Sequence, residues 1–441
     1  MHILIIGGGW AGLSAAVQAV QRGWKVTLWE ATRQWGGRAR ALEHAGLVLD
    51  NGQHILIGAY TDTLSLMRTV GLNPDQCLRR HPLALVRPDG SGLSLPRLAP
   101  PWNLLVGVLR ARGWSWGDKW SLLRCAWQWQ RQDFNCPGDA SVSEVCRALT
   151  PRVMEQLIEP LCVSALNTAA QRASGTVFLR VLKDALWCPG GGSDLLWPTV
   201  DLGALLPDAA ARWLTERGAV LMPGHRATPE SLPTHARAAS TPWGPQASAT
   251  ADAVVLACPA WEAGRLAAAH HPQWAALAQA LPHAAIATVY LQHPGPHPPE
   301  LPQPMMALPS DADHPAQFVF DRGQLLGPSQ RGWLAGVVSD SQGTREELEQ
   351  RVLAQLRTQL ADVLGHDCVE GLQPVQTVVE KRATFVCTPG LQRPPAFIGG
   401  HWWACGDYVQ GPYPATLEGA VRSGRQVIDQ IAQTGEREGR Q

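Results

Sequence analysis

Charge is scarce in this chain of 441 residues: Asp, Glu, Lys and Arg make up 17% of it, while 45% is hydrophobic. A disordered or highly solvated chain is excluded by that balance. No net charge remains, because 37 Lys and Arg meet 37 Asp and Glu. The basic surface that nucleic-acid binding requires is therefore missing, and no nucleic-acid partner is expected. The ten cysteines form no Cys-x-x-Cys pair and no zinc-finger spacing with His. Reduced, mostly buried thiols and no metal site are expected. The longest stretch free of charged residues, Leu266 to Pro299, is broken by Pro272, Pro282 and several His, so it is not read as a membrane span. Met1 to Ile6 lacks a basic leader and a cleavage site, and reads as a strand rather than a signal peptide. Tyr and Phe number only 4 and 6, against 19 Trp.

Glycine supplies the first positive signal. Ile3-Leu4-Ile5-Ile6 is a continuous apolar run, as a strand covered on both faces requires. Gly7-Gly8-Gly9-Trp10-Ala11-Gly12 follows and matches G-x-G-x-x-G at Gly7, Gly9 and Gly12. Leu13 to Val20 then reads as a helix and Lys25 to Trp29 as a second strand, with Glu30 at its end, 18 residues beyond Gly12. Gly7 permits the tight turn, Gly9 lets backbone amides approach a pyrophosphate, and Gly12 lets helix pack on strand. Glu30 suits ribose hydroxyls and opposes a 2′-phosphate. Together these elements predict FAD or NAD binding.

Gly36-Gly37-Arg38-Ala39-Arg40 comes next, and the Arg38 guanidinium suits a diphosphate. This element resembles the G-G-R-x-R of the flavin-containing amine oxidase and phytoene desaturase superfamily. So do Ala253 to Pro259, a returning strand, and Cys405-Gly406-Asp407 with the helix that follows Tyr413 to Thr416. The resemblance implies an α/β fold, in which a Rossmann-type, glutathione-reductase-like FAD-binding domain is interleaved with an α+β substrate domain. Residues 1–75, 190–262 and 385–432 are expected to form the first, and 76–189 with 263–384 the second, leaving 433–441 as a polar tail. FAD is implied at Gly7, Gly9, Trp10, Ala11, Gly12, Glu30, Gly36, Gly37, Arg38, Gly52, Gln53, Arg226, Gly406, Asp407, Ala415 and Thr416. Pro223 to Thr250 and His293 to Pro315 read as loosely structured or looped, and Glu346 to Leu364 as a helix.

Three middle passages narrow the resemblance: Asp50 to Tyr60, Glu159 to Thr168, and Gly191 to Leu196 with Val200-Asp201-Leu202. They are similar to the hydroxysqualene dehydroxylases, or squalene-associated FAD-dependent desaturases, of bacterial hopanoid pathways. That implies reduction of hydroxysqualene to squalene by hydride from FADH2, with an unidentified electron donor for FAD. Removing an allylic hydroxyl needs an acid at the leaving oxygen and a dry pocket, where aromatic faces stabilise a cation-like state. His54 is the first candidate acid, with Tyr413 and Asp194 behind it; alternatively His54 simply bonds the flavin or a core carbonyl. A phytoene-type desaturase or isomerase, an amine oxidase and a non-catalytic isoprenoid-binding escort are the competing readings.

Six Trp lie between residues 102 and 129, with Arg110, Arg112, Lys119, Arg124 and Arg131 beside them and Asp118 the sole acid. Trp116, Trp120, Leu123 and Trp127 fall on one helical stripe. Within helices expected over 100–131, this stripe either packs inward or meets an anionic membrane surface. The chain is expected to be cytoplasmic, peripherally associated with the inner face of the cytoplasmic membrane.

Overall fold

The computed structural model describes residues 1–44, 46–187, 191–233, 251–295, 298 and 300–438. Cys188, most of the Pro223–Thr250 insertion, three positions of the Pro-rich segment and the last three residues lie outside the described residues.

The apolar run at the start forms the strand His2–Ile6. Ile3 and Ile5 point to one packed layer, Leu4 and Ile6 to the other, which is why no polar residue interrupts it. Lys25–Glu30 and Ala253–Leu256 flank it in parallel. Val220–Pro223 and Trp402–Ala404 extend the parallel sheet at its two sides, and Phe397–Gly399 adds an antiparallel edge. This is the expected Rossmann-type sheet, assembled from three separate stretches of chain. The first helix spans Trp10–Gln21, three residues earlier than its apolar pattern suggests, because helical backbone begins directly at the glycine turn.

The final helix, Leu417–Glu438, packs across Trp10–Gln21. Gly424 makes that crossing close: a Cβ there would lie 2.2 Å from the Ala11 carbonyl oxygen. Ser14 donates to the Val421 carbonyl at 2.7 Å, and Gln18 and Arg22 both reach Asp429. Glu418, fully buried, accepts from the backbone amides of Asp62 and Thr63 at 3.0 and 2.9 Å. Its carboxylate so closes the start of the Thr61–Thr69 helix, where unpaired N–H groups and the helix dipole favour an anion. The helix runs on to Glu438, past the point where a polar tail is expected from the sequence.

A second, antiparallel sheet orders Met305–Ala307, Phe318–Asp321, Trp333–Ser339, His283–Gln292 and Gln373–Phe385. Met305–Ala307 is a strand inside the segment expected to be loop; its three residues are buried, and pairing with Phe318–Phe320 outweighs the surrounding prolines. Ala287, Val289, Leu291 and Val338 face the helix Arg345–Gln359 through Leu348, Val352 and Leu356. The alternate residues face the other way, into a cavity. Helices Trp102–Arg110 and Trp116–Arg131 lie within the predicted 100–131. Among the described residues no helix is long and apolar enough to cross a membrane, no group of His, Cys, Asp or Glu could hold a metal, and the nine cysteines are free.

The Gly424 contact is testable. Gly424→Ala overpacks the helix crossing and should destabilise the protein by about 1–3 kcal/mol, read as a lower midpoint in thermal unfolding; an unchanged midpoint would mean the two helices do not meet there.

Candidate functional site

The end of the first strand and the start of the first helix form one wall of a cavity of about 670 Å³, within the range of small-molecule sites. Gly7 takes φ +114°, and a Cβ there would strike the Ala257 backbone at 2.8 Å. Gly12 sits behind it, where a Cβ would come within 1.9 Å of the Gly7 carbonyl; it packs helix on strand and does not line the cavity. Gly9 differs. Its φ is −76°, and its nearest would-be contact is an ordinary 3.8 Å. Nothing in the protein demands glycine at this position, which borders the cavity together with Trp10 and Ala11. The helix beginning here has no side-chain cap, so its first N–H groups are open to an anion. A cradle that a side chain would fill and uncapped donors both fit a dinucleotide diphosphate.

A second glycine turn lies against the first: Gly36 N–H donates to the Gly8 carbonyl at 2.9 Å, and Gly37 meets Gly9. Glu30, at the end of its strand, is buried and accepts from Gly8 N–H at 2.7 Å and from Thr32 N–H and hydroxyl at 2.8 Å. These bonds fix the carboxylate at the cavity wall, which Arg226 also lines. From the opposite end of the chain, Asp407 pairs with Arg38 at 2.6 Å. Burial pulls the Arg38 guanidinium down, but Asp407, with help from Glu380, carries it above its ordinary value. Asn51 donates to both the Arg38 carbonyl and Glu380. Gly52, Gln53, Gly406, Ala415 and Thr416 complete this half of the wall.

Apolar side chains make the other half. The second sheet contributes Ile286, Phe318, Phe320, Val337 and Val378, which follow the alternation of its strands. Helix Gly175–Trp187 adds Phe178, Val181 and Leu182, and Leu83, Leu85 and Leu161 close the wall. Tryptophan does not supply the aromatic faces here: Trp10, Trp29 and Trp261 border the cavity on the glycine-cradle side, and the apolar half has Phe.

Of the three candidate acids, two reach the cavity. His54 lines it, with Nδ1 3.2 Å from the Gly52 carbonyl. Burial and the Arg38 charge hold its imidazole below the ordinary value against that carbonyl, a shift that favours the neutral ring over the imidazolium. Tyr413 also lines the cavity, and its hydroxyl donates to Asp184 at 2.6 Å. Burial, with the Asp184 carboxylate, pushes Tyr413 up to about 12; Arg422 donates to its oxygen at 3.2 Å. Asp194 stands apart. The wall passes from Ser193 to Leu195 without it, and its carboxylate pairs with Arg80 at 3.1 Å. Sequence reasoning missed Asp184, Glu380 and Arg422. Only Arg422 carried a signal, its place in the helix after Tyr413.

The flavin containing amine oxidoreductase family matches residues 10–432. Hydroxysqualene dehydroxylase of Rhodopseudomonas palustris is 26% identical over 98% of this chain and 98% of its own length. Zeta-carotene desaturase of Synechocystis is 32% identical over only 20% of this chain and 19% of its own. The fold is shared with an oxidoreductase from Methanosarcina mazei, at a TM-score of 0.68 and 13% identity over 97% of this chain and 100% of that one. With its parallel sheet, its glycine cradle and this match, the chain belongs to the flavin containing amine oxidoreductases and is an FAD-dependent oxidoreductase.

Proposed function

We propose that this enzyme removes the hydroxyl of an allylic C30 isoprenoid alcohol, reducing hydroxysqualene to squalene. The observation that carries this reading is the continuity of the cavity: a cradle suited to FAD opens directly onto a wall of aliphatic and Phe side chains. Such a wall offers a polyisoprenoid chain burial worth about 25 cal/mol per Å² and offers an amine or sugar little. Near full-length similarity to a hydroxysqualene dehydroxylase supports the same substrate class.

In this reading the first helix start, with Gly7, Gly9, Trp10 and Ala11, binds the diphosphate, and Glu30 the ribose. Arg226 lines the same wall; Arg38, held by Asp407, and with it Gly36, Gly37, Gly52, Gln53, Gly406, Ala415 and Thr416, hold the remainder. Bound FAD, once reduced, supplies a hydride. The chain supplies the rest. The carbon–oxygen bond breaks, a carbon–hydrogen bond forms, and the hydroxyl leaves as water after taking one proton. The apolar wall excludes other water from the same carbon. Tyr413 polarises the leaving oxygen by turning its single O–H from Asp184 to the substrate; it stays protonated across the neutral range, and Arg422 stabilises negative charge on its oxygen. Asp184 accepts the phenol proton until substrate takes its place. Neutral His54 is a hydrogen-bonding wall residue.

Three outcomes are expected. Photoreduced enzyme mixed anaerobically with hydroxysqualene should return to the oxidised flavin spectrum while squalene accumulates. Rapid flavin reduction by squalene, with a dehydrogenated product, would establish a desaturase instead, the direction that the zeta-carotene desaturase similarity favours.

Glu30→Ala should weaken FAD by about 1.5–3 kcal/mol, the range for hydrogen bonds to a charge. Titration of apoprotein with FAD reads this directly, and an unchanged affinity removes Glu30 from the site.

Tyr413→Phe should slow flavin reoxidation by about 10²–10⁴-fold, the usual contribution of a positioned proton donor, with FAD content intact. Because Tyr413 loses its proton only near its raised value of about 12, the wild-type rate should stay level through neutral and mildly alkaline pH. A rate that falls as pH rises through the acidic side of neutrality would return the role to His54.

A further inference from the structure

Twelve large hydrophobic side chains are exposed among the described residues, and six of them fall between residues 98 and 127, on or just before two helices that pack together: Leu98, Trp102, Leu109, Trp116, Trp120 and Trp127. Trp116, Trp120 and Trp127 are 75%, 69% and 55% exposed. Large apolar patches on a protein mark an interaction site. The helix Trp116–Arg131 is apolar on its far side too, where Leu122, Cys125, Ala126 and Trp129 are buried. Opposite that buried side, the exposed indoles alternate with Lys119, Arg124, Gln128 and Arg131, the mixture of aromatic and basic side chains that an interfacial helix presents.

Charge identifies the other. Arg110, Arg112, Arg124 and Arg131 are exposed around the patch. Arg131 stacks 4.7 Å from the Trp127 ring, and Lys119 lies 5.2 Å from that of Trp116. The acid within this stretch is turned inward: Asp118 is buried, accepting from Ser115 N–H and hydroxyl and from Thr150. Asp133, just beyond the helix, is paired with Lys183 at 2.7 Å. The face is therefore indole rimmed by cations. Indole prefers the headgroup boundary of a bilayer, and arginine near it is drawn to anionic lipid. No described helix can span a membrane, so the contact is with the surface.

The patch also lies against the cavity wall. Gly107, in the helix Trp102–Arg110, lets that helix close on Leu95, where a Cβ would come within 2.6 Å of the side chain. Leu95 ends the hairpin of Gly92–Ser94 with Ala84–Val86, whose Leu85 lines the cavity with Leu83. The helix Trp102–Arg110 and one hairpin separate exposed Trp102 from the apolar pocket.

We propose that this face docks on the headgroup region of an anionic lipid bilayer and so delivers hydrocarbon substrate to the cavity. Docking stands on the surface alone; the delivery role rests on the C30 reading above. The holoenzyme should co-sediment with vesicles of phosphatidylglycerol and phosphatidylcholine in equal parts, and not with phosphatidylcholine alone or at high salt. Brominated phosphatidylglycerol should quench its tryptophan emission in the same vesicles. Combined Trp116→Ser, Trp120→Ser, Trp127→Ser, Arg124→Gln and Arg131→Gln should lower vesicle affinity about tenfold or more. The variant should keep its FAD and its turnover of detergent-dispersed hydroxysqualene, while turnover of vesicle-embedded substrate falls. The vesicles used for co-sedimentation and quenching contain no isoprenoid, so a wrong substrate leaves the binding result standing. Wild-type protein that ignores anionic vesicles overturns the proposal, as does a folded variant that binds them normally. So does a dimer, seen by sedimentation of the wild type and lost in the variant, since a second copy would then cover the face. Should the variant misfold, absence of quenching by brominated lipid in the wild type overturns it equally.

Discussion

The site hangs on one ion pair. Arg38 and Asp407, 369 residues apart, meet at 2.6 Å on the wall of the cavity. Taking both charges out of water is costly, and the arrangement is tolerated because the spare donors are used: Arg38 also donates to the Ala383 carbonyl at 2.6 Å. That second partner belongs to the long strand Gln373–Phe385 of the second sheet. A single guanidinium thus ties together the second glycine turn, the carboxy-terminal Gly-Asp element and the sheet that forms the apolar wall. The geometry between cofactor cradle and hydrophobic pocket is set at this junction.

The two sheets use alternation differently. In the four inner strands of the parallel sheet both sets of side chains are buried, one against helices Trp10–Gln21 and Leu417–Glu438, the other against the rest of the core. In the antiparallel sheet one set packs on Arg345–Gln359 and the other is left for the cavity. Residues that look like ordinary core in a strand, such as Ile286 and Phe318, are therefore binding-surface residues. Their counterparts one position along, Ala287 and Val319, are structural. This wall is rigid where Ile286, Phe318, Phe320 and Val337 stand, because their strands are paired on both sides.

Local chemistry was legible in the sequence, and long-range pairing was not. The glycine cradle and Glu30 could be read because the turn, the helix start and the acid lie within one stretch of chain and each has a steric or hydrogen-bonding reason. Arg38 and Asp407 could be placed at the site but not with each other, since no spacing encodes a contact across the whole chain. Asp184 gave no signal, being one acid on an amphipathic helix; only tertiary packing sets it beside Tyr413. Asp194 misled for the converse reason: its motif is close to the cavity, but the chain turns so that Arg80 captures it. The Trp116 stripe could be recognised as one face of a helix, yet periodicity says nothing of whether that face meets protein or solvent. The strand Met305–Ala307 was hidden by its prolines, and the end of Leu417–Glu438 by its polar composition.

The buried carboxylate of Glu418 has a consequence for the order in which the molecule is made. It closes a helix that begins at Thr61, and Trp402–Ala404 borders a strand of the central sheet. The amino-terminal half therefore leaves the ribosome with a helix end unsatisfied, a sheet edge open and Arg38 without its counter-ion. At about 5–20 residues per second, those vacancies persist for tens of seconds. During that interval the nascent chain exposes apolar strand edges without a finished cradle. The cradle is complete, with Asp407 on Arg38 and Glu418 on the Thr61 helix, only in chains whose synthesis has passed the last helix.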